Sequence, residues 1–435
     1  MEKTKVAIVG LGTVGSGVAR LLLDHGDRTA RHAGRTLWLE KAVVRDLKKP
    51  RGCELPDGVV TDQLEDVLND PEIEVVAQLV GGLEPARTIM LRLLEAGKNV
   101  VTANKALLAE HGPELFDRAR ELGRCIAFEA AVAGGIPIIT NVSQCFSANQ
   151  VTSLQGILNG TCNFIVCQMD EKGWSYAQAL EEAQKLGFAE ADPTMDVDGT
   201  DAAQKLAILA HLAFGARVSW SQIPKEGIDT LDATDLQFAK ELGYRIKLIA
   251  NARLTKAGLE LSVSPTLIRI GEPLAEVRAN YNAINVVGDA VGDLFFHGQG
   301  AGQMPTASAV VADLIDTAVG RTPITFDTLE LWSQQESKVH LRPVDELPGR
   351  YYMRFTVTDQ PGVMAQITSI LGTNELSISS IIQHEPQKGA SGTTVQLVIM
   401  THEASEGAAS KAVEQIKKLS IVTGDSVRMR VIEST

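Results

Sequence analysis

The stretch from Ala183 to Lys205, AQKLGFAEADPTMDVDGTDAAQK, sets Glu190, Asp192, Asp196, Asp198 and Asp201 around two glycines and a proline. Lys205 follows four residues after Asp201. An unpaired buried charge is costly, so a core does not accept that many carboxylates. The composition predicts a loop closing over something polar and cationic, then a helix starting near Thr200. On that helix Asp201 and Lys205 share a face, because i and i+4 are neighbours. An acid and a lysine facing a carboxylate-lined loop suit proton transfer to a substrate that carries an amino group. The same spacing also describes an ordinary surface pair, worth roughly 0.2–0.5 kcal/mol.

The elements that would position such a site begin at the N-terminus. Lys5 to Val9 is a short apolar run, read as a buried parallel strand. It enters Gly10-Leu11-Gly12-Thr13-Val14-Gly15, a G-x-G-x-x-G turn, and a helical segment from Val14 to Asp24 follows. Glycines there let the backbone approach a pyrophosphate, and the helix N-terminus supplies free N–H groups. Gly10, Gly12, Thr13, Val14 and Gly15 are therefore predicted to bind a dinucleotide. A second strand, Leu37 to Val44, ends at Arg45-Asp46. An acid at that point takes the ribose hydroxyls, whereas an arginine favours a 2′-phosphate. Arg45, with Lys48 and Lys49 close by, favours NADP(H), and Asp46 keeps NAD(H) open. Strands near Glu74–Val80 and Asn99–Thr102, with a helix near Pro85–Ala96, continue a doubly wound α/β pattern. Ala103-Asn104-Lys105 follows the last strand and puts Lys105 at its carboxyl end, where ligands of such sheets sit.

Further along, Glu129-Ala130-Ala131-Val132-Ala133-Gly134-Gly135-Ile136-Pro137 reads as a hinge between domains, with carbonyls that glycine turns can aim inward. Oxygen ligands of that kind suit hard cations. A helix over Ile138–Cys145 and a strand over Gln150–Leu158 come next, then Asn159-Gly160-Thr161-Cys162-Asn163. Cys162 invites a nucleophile reading, but nothing nearby would lower its pKa. A helix over Asp201–Phe214 and strands over Arg245–Leu254 and Leu259–Ile268 are predicted. Several glycines lie between Asn285 and Gly302, and Gly300-Ala301-Gly302 leads into another helix. Arg321–Arg350, with three prolines, reads as a connector. The remainder reads as strand (Tyr351–Thr358), helix (Val363–Leu371), strands (Ser377–Gln383 and Thr394–Met400), helix (Glu406–Leu419) and strand (Ser426–Val431). That is a ferredoxin-like βαββαβ unit.

The order Ala183, Gly187, Phe188, Ala189, Asp192-Pro193, Asp196, Val197, Gly199, Asp201 and Lys205 resembles the signature of homoserine dehydrogenases. VTANK around Lys105 and GILNGTCNF around Asn159 resemble the same family, over nearly the whole chain and in its monofunctional form. The resemblance implies reversible NAD(P)H-dependent reduction of aspartate 4-semialdehyde to homoserine, a step of threonine, methionine and isoleucine biosynthesis. It implies Lys205 as proton donor, Asp201 as its orienting partner and a substrate contact, and Glu190 on the substrate ammonium with Asp196 in support. Lys105 would neutralise the carboxylate or assist proton transfer, and spacing does not choose between the two lysines. The resemblance also adds Lys105, Gly187 and Gly302 to the nucleotide contacts. It implies a monovalent cation, sodium, held by Glu129 and the carbonyls of Val132, Gly134 and Ile136. With D-x-P-G at its first strand–helix turn, the C-terminal unit resembles an ACT domain, which implies threonine as effector at Asp359, Pro361 and Gly362, or a purely dimerising role.

The expected organisation is a Rossmann-type nucleotide domain over 1–137, to which a helix over 303–320 returns. An α+β catalytic and dimerisation domain spans 138–302, a linker 321–349, and an ACT domain 350–435. A homo-oligomer, dimer or tetramer, is expected. Other readings are an oxidoreductase of another amino-acid semialdehyde and a non-catalytic amino-acid sensor. The intact glycine turn, Lys105, Asp201 and Lys205 speak against the sensor.

The chain has 435 residues, 44% hydrophobic and 22% charged, with a formal net charge of −13. That charge argues against nucleic acid and anionic membranes as partners. No apolar run approaches the about 20 residues that span a bilayer, and MEKTKVAIVG has no signal-peptide block. Cys53, Cys125, Cys145, Cys162 and Cys167 lack metal-type spacing and read as free thiols in a reducing cytoplasm.

Overall fold

The computed structural model describes residues 2–332, 339–384 and 394–432. It divides into two compact units. The first comprises Met1–Leu154, Asp201–Ile223 and Tyr281–Val339; the second comprises Gln155–Thr200, Pro224–Asn280 and His340–Thr435.

The first unit is built on a parallel sheet of β1 (Lys3–Val9), β2 (Thr36–Val43), β3 (Val60–Thr61), β4 (Ile73–Gln78), β5 (Asn99–Thr102) and β6 (Ile126–Ala127). Their order is β3-β2-β1-β4-β5-β6, the doubly wound arrangement in which the strand order reverses beside β1. Val6, Ile8, Val75, Ala77 and Val101 supply the sheet side of the core. Val18 and Leu22 of the Thr13–Asp24 helix join them, as do Ala307, Val310 and Leu314 of the Gln303–Ala318 helix. That last helix is recruited from far along the chain because it is apolar on the face that the sheet needs covered.

Strand β7 (Val151–Ile157) crosses the division between the units. In the second unit, β8 (Tyr244–Thr255) and β9 (Gly258–Arg269) form an antiparallel hairpin. In the first, β10 (Tyr281–Gly288) and β11 (Gly292–Gln299) form another. The glycines of that region thus lie largely within strands and their turn. Asn159 and Ser175 cap the helices Gly160–Lys172 and Tyr176–Lys185. The predicted Ile138–Cys145 helix is α-helical only to Thr140 and continues as a π turn over Asn141–Cys145. The predicted connector contains a helix, Arg321–Leu329. Pro323 lies in its first turn, where its missing N–H costs nothing. Residues 333–338 of that span lie outside the described residues.

The C-terminal module contains β12 (Pro348–Thr358), β13 (Ile378–Gln383), β14 (Thr394–Thr401), the short β15 (Ala404–Ser405) and β16 (Val422–Ile432). Its sheet order is β16-β12-β14-β13, with helices Val363–Thr373 and Glu406–Lys417. Strand β16 also pairs in parallel with β9, from Arg430 opposite Thr266 to Ile432 opposite Ile268. Tyr351, Met353, Phe355 and Val357 face the module's core with Ile367, Leu397 and Ile416. The alternation in β12 predicted a half-buried strand, but Tyr352 and Arg354 are buried as well. The reason is Asp235 on the Ala233–Glu241 helix. It accepts hydrogen bonds from the Tyr352 hydroxyl (2.9 Å) and from Arg354 Nε (2.6 Å) and Nη2 (2.8 Å).

Candidate functional site

The glycine turn joins β1 to the Thr13–Asp24 helix. Gly10 has φ +102°, and a Cβ on Gly15 would lie 2.2 Å from the Gly10 carbonyl oxygen. Beside Gly12 there is open space, and no side chain caps the helix. The N–H groups of its first turn, Thr13 and Val14 included, therefore have the geometry to meet a phosphate. Gly302, with φ +121°, caps the returning Gln303–Ala318 helix, and Gln303 Nε2 donates to the Thr13 carbonyl at 3.1 Å. Arg45, Lys48 and Lys49 are exposed just beyond β2. Asp46 spends one carboxylate oxygen on the Lys48 N–H at 2.9 Å.

Asp201 forms the chemical centre of the first unit. Its Oδ2 lies 2.7 Å from Lys205 Nζ and its Oδ1 3.0 Å from Lys105 Nζ. The Asp201 side chain is 7% exposed, that of Lys205 12% and that of Lys105 37%, so this is no ordinary surface pair. Burial opposes ionisation of Asp201, but the two ammonium groups outweigh it and hold the carboxyl far below its usual range. The carboxylate thus stays charged and orients both lysines. Lys105 opens the Lys105–Glu121 helix directly after β5. Asn104 caps that helix by accepting from the Leu107 N–H at 3.1 Å. Asn104 Nδ2 also donates to the Gly82 and Val80 carbonyls, at 2.7 and 3.1 Å. Thr102 on β5 and Gln78 on β4 bond at 3.1 Å beneath it. Asn104 was not predicted as a site residue, although an asparagine just before a helix is a known capping signal.

The acidic loop lies in the second unit and uses several of its charges internally. Asp196 Oδ1 accepts from Asn159 Nδ2 at 2.8 Å. Asp198 Oδ1 accepts the Thr200 N–H at 2.8 Å, and its Oδ2 takes the Thr200 hydroxyl at 2.8 Å and Lys225 Nζ at 2.7 Å. Burial works against this charge, yet Lys225 and Thr200 together keep the carboxyl below its usual range. Asp192 Oδ1 accepts the N–H and the hydroxyl of Thr194, at 3.2 and 2.6 Å, where the short Thr194–Val197 turn of helix begins. Glu190 is exposed. Gly187, with φ +74°, follows the end of the Tyr176–Lys185 helix. Cys162 is buried, and its thiol donates to the Asp196 carbonyl at 3.1 Å, an inert setting rather than a nucleophile's.

The Glu129–Ile136 segment is buried apart from Gly135. The Glu129 carboxylate accepts the N–H groups of Ile139 and Thr140, at 2.9 and 2.8 Å, and the Thr140 hydroxyl. Its own N–H donates to Asp313 at 2.8 Å. Burial raises the pKa of both carboxyls, that of Asp313 well above its ordinary value with Glu129 nearby. Ala133 and Gly134 are both left-handed, with φ +55° and +43°. A Cβ on Gly134 would lie 2.6 Å from the Gly300 carbonyl oxygen. With the carboxylate occupied, what this turn offers a cation is carbonyl oxygen. Among the described residues no group of three or more His, Cys, Asp or Glu side chains is placed to hold a metal ion.

The far end of the Thr200–Phe214 helix is anchored by His211. Its ring stacks on Trp332 with centroids 4.6 Å apart; Nε2 accepts the Trp332 N–H at 2.7 Å, and Nδ1 meets the Ala216 carbonyl at 3.1 Å. Burial, helped by Arg217 and Arg120, lowers its pKa from 6.5 to about 4. The native state therefore holds it neutral while the unfolded chain protonates. Its stabilising contribution is complete above pH 6.5 and is lost as pH falls toward 4. The loss should total about 3 kcal/mol at roughly 1.4 kcal/mol per pH unit. Urea unfolding followed by tryptophan fluorescence should show that slope, and His211→Gln should flatten it. An unchanged slope in the variant would place the acid sensitivity elsewhere.

In the C-terminal module, Asp359, Pro361 and Gly362 are exposed at the turn after β12. Gly362, with φ +92°, caps the Val363–Thr373 helix, and no side chain occupies that cap.

Residues 137–315 match the family model for homoserine dehydrogenase. Residues 10–129 match the NAD binding domain of homoserine dehydrogenase, and residues 351–420 match the ACT domain. The homoserine dehydrogenase of Pseudomonas aeruginosa is 43% identical over 434 residues, which cover 99% of each chain. The crystal structure of a homoserine dehydrogenase from Thiobacillus denitrificans superposes with a TM-score of 0.92 at 42% identity, covering 100% of this chain and 99% of that one. A hyperthermophilic archaeal homoserine dehydrogenase, solved in complex with NADPH, gives a TM-score of 0.61 at 25% identity over 73% of this chain and 98% of its own. No helix among the described residues is long and apolar enough to cross a membrane.

Proposed function

The chain belongs to the homoserine dehydrogenase family, and we propose that it reduces aspartate 4-semialdehyde to homoserine reversibly, with Lys205 as the proton donor. The observation that carries this reading is the single buried carboxylate of Asp201 holding two ammonium groups, Lys205 and Lys105. Lys105 follows β5, and the glycine turn follows β1, both at the carboxyl ends of strands in one parallel sheet. When bound, the nicotinamide supplies a hydride to the aldehyde carbon. The aldehyde oxygen then gathers negative charge, which an ammonium group stabilises and quenches by giving up a proton. Lys205 is the more buried of the two, so its charge is less screened; Lys105, more open, suits the substrate carboxylate. For the substrate ammonium we assign exposed Glu190, with Asp196, steadied by Asn159, in support.

The same reading takes residues 1–137 as the nucleotide domain, joined by the helix over 303–320, and 138–302 as the catalytic and dimerisation domain of a homo-oligomer. Gly187 and Gly302 are assigned to the nucleotide contacts. Glu129 and the carbonyls of Val132, Gly134 and Ile136 would hold sodium, a role that suits a turn rich in oxygen donors. Five free cysteines fit a reducing cytoplasm. Threonine is the proposed inhibitor, acting through Asp359, Pro361 and Gly362.

The test is NADPH oxidation with aspartate semialdehyde, with and without threonine, repeated with NADH. Turnover suppressed by threonine supports both the reaction and the effector. Turnover indifferent to threonine removes the effector alone. No turnover in folded protein that still binds dinucleotide defeats the substrate assignment. Preference for NADP(H) rests on Arg45: Arg45→Ala should weaken NADPH binding roughly tenfold or more, the scale of one charge-assisted contact, and spare NADH. Equal losses would remove the 2′-phosphate role.

A further inference from the structure

The carboxyl end of β2 is held in two different ways. As far as Val44 it is held by backbone. The Val43 carbonyl accepts the Gly10 N–H at 2.9 Å, and the Val44 N–H donates to the Thr61 carbonyl at 2.8 Å. Those bonds fix the residues just before Arg45 between the glycine turn and β3. The next strand begins only at Val60, and the chain from Arg45 to Pro50 is neither helix nor strand. Side chains hold that stretch, chiefly the half-buried Arg51. Arg51 donates from Nη1 to the Leu47 carbonyl at 3.3 Å and to the Lys49 carbonyl at 2.9 Å, and from Nη2 to the Asp46 carbonyl.

Three carbonyls thus converge on one guanidinium, and the chain closes around it. The planar fork of an arginine carries donors at fixed angles, which is what several carbonyls in one small loop require; the ammonium of a lysine is a point and does not span them. Two neighbours add to the constraint. Pro50 narrows the backbone choices of Lys49 before it, and Asp46 Oδ1 accepts the Lys48 N–H at 2.9 Å. The cations carried on the closed loop, Arg45, Lys48 and Lys49, are all exposed. A loop that is free must lose that freedom when it closes on a ligand, whereas a pinned loop has lost it beforehand.

We propose that Arg51 is a positioning residue for cofactor choice: by pinning the carbonyls of Asp46, Leu47 and Lys49 it sets the loop in advance, so that Arg45 is presented to a 2′-phosphate. The inference rests on the assignment of Arg45 to that phosphate. Arg51 then acts through Arg45, and its effect falls on NADPH and not on NADH, which has no phosphate there. Its bonds end on backbone carbonyls, so substitution removes the shape of the loop and leaves the sheet and the glycine turn as they are.

The test reads binding and needs no turnover. Dissociation constants of NADPH and NADH are measured by nicotinamide fluorescence on the full-length protein, with circular dichroism as the check on folding. Arg51→Ala should weaken NADPH roughly three- to tenfold, within the loss expected of Arg45→Ala, and spare NADH. Arg51→Lys keeps the charge but not the fork, so it should lose nearly as much. The double variant Arg45→Ala/Arg51→Ala should bind NADPH no more weakly than Arg45→Ala alone, because residues that act as a unit are not additive. Losses that add would make Arg51 a direct ligand of the phosphate. Full recovery in Arg51→Lys would reduce its role to charge, and equal losses of NADPH and NADH would reduce it to holding the fold. Any of these three overturns the proposal. So does an Arg45→Ala that loses NADPH selectively beside an Arg51→Ala that loses nothing. The assignment of Arg45 is judged separately, on Arg45→Ala with Arg51 intact. Equal losses there defeat that assignment and this inference with it.

Discussion

Lys205→Ala should lower kcat by about two to four orders of magnitude, the usual span for a general acid in the transition state, and leave the dinucleotide dissociation constant unchanged. The expectation follows from what the substitution spares. Asp201 keeps Lys105 at 3.0 Å, so the buried carboxylate is still paired and the helix is still held. The glycine turn and the returning Gln303–Ala318 helix do not touch Lys205 through any of these bonds. Lys105→Ala is the informative comparison. If Lys105 chiefly holds the substrate carboxylate, its loss should raise KM more than it lowers kcat. The reverse pattern in the two variants would exchange their roles. A parallel loss of dinucleotide affinity in Lys205→Ala would show that its role is to hold the fold.

Asp235→Ala should cost about 3–5 kcal/mol, the scale for breaking a buried ion pair from one side. Arg354 is buried against Asp235 through two bonds, and the Tyr352 hydroxyl shares the same carboxylate. Removing Asp235 leaves a guanidinium and a phenol in the interior without that acceptor. Burial tends to lower the Arg354 pKa, but Asp235 more than offsets it, so the arginine stays charged and the penalty is felt in full. Asp235→Leu combined with Arg354→Leu should recover most of the loss, since apolar packing often replaces a buried pair at little cost. Urea unfolding of the three variants checks this. A single substitution costing under about 1 kcal/mol, as an exposed pair would, would mean that water already reaches the contact.

Much of the centre was legible in the chain because its signals are local. The i,i+4 spacing of Asp201 and Lys205 sets their contact once a helix forms, and it does form, from Thr200. The glycine turn, the placement of Lys105 after β5 and the βαββαβ order of the C-terminal module follow from patterns a few residues long. Less legible were partners distant in sequence. Nothing near Asp196 points to Asn159, nothing near Asp198 points to Lys225, and nothing near His211 points to Trp332. The alternation in β12 described one buried face, and the second was decided by Asp235 on another element.

By itself, the sequence determined which segments turn, which run as parallel strands, and which helix carries the acid and its lysine. These depend on backbone preference and periodicity within short windows. Only the tertiary structure decided that Asp201 serves two lysines and that Asn104 steadies one of them. It alone showed the Glu129 carboxylate committed to backbone N–H groups. Each of those outcomes is a contest among charges and donors for partners. The contest is settled only when the folded chain brings distant groups within about 3 Å and removes the water that would otherwise satisfy them.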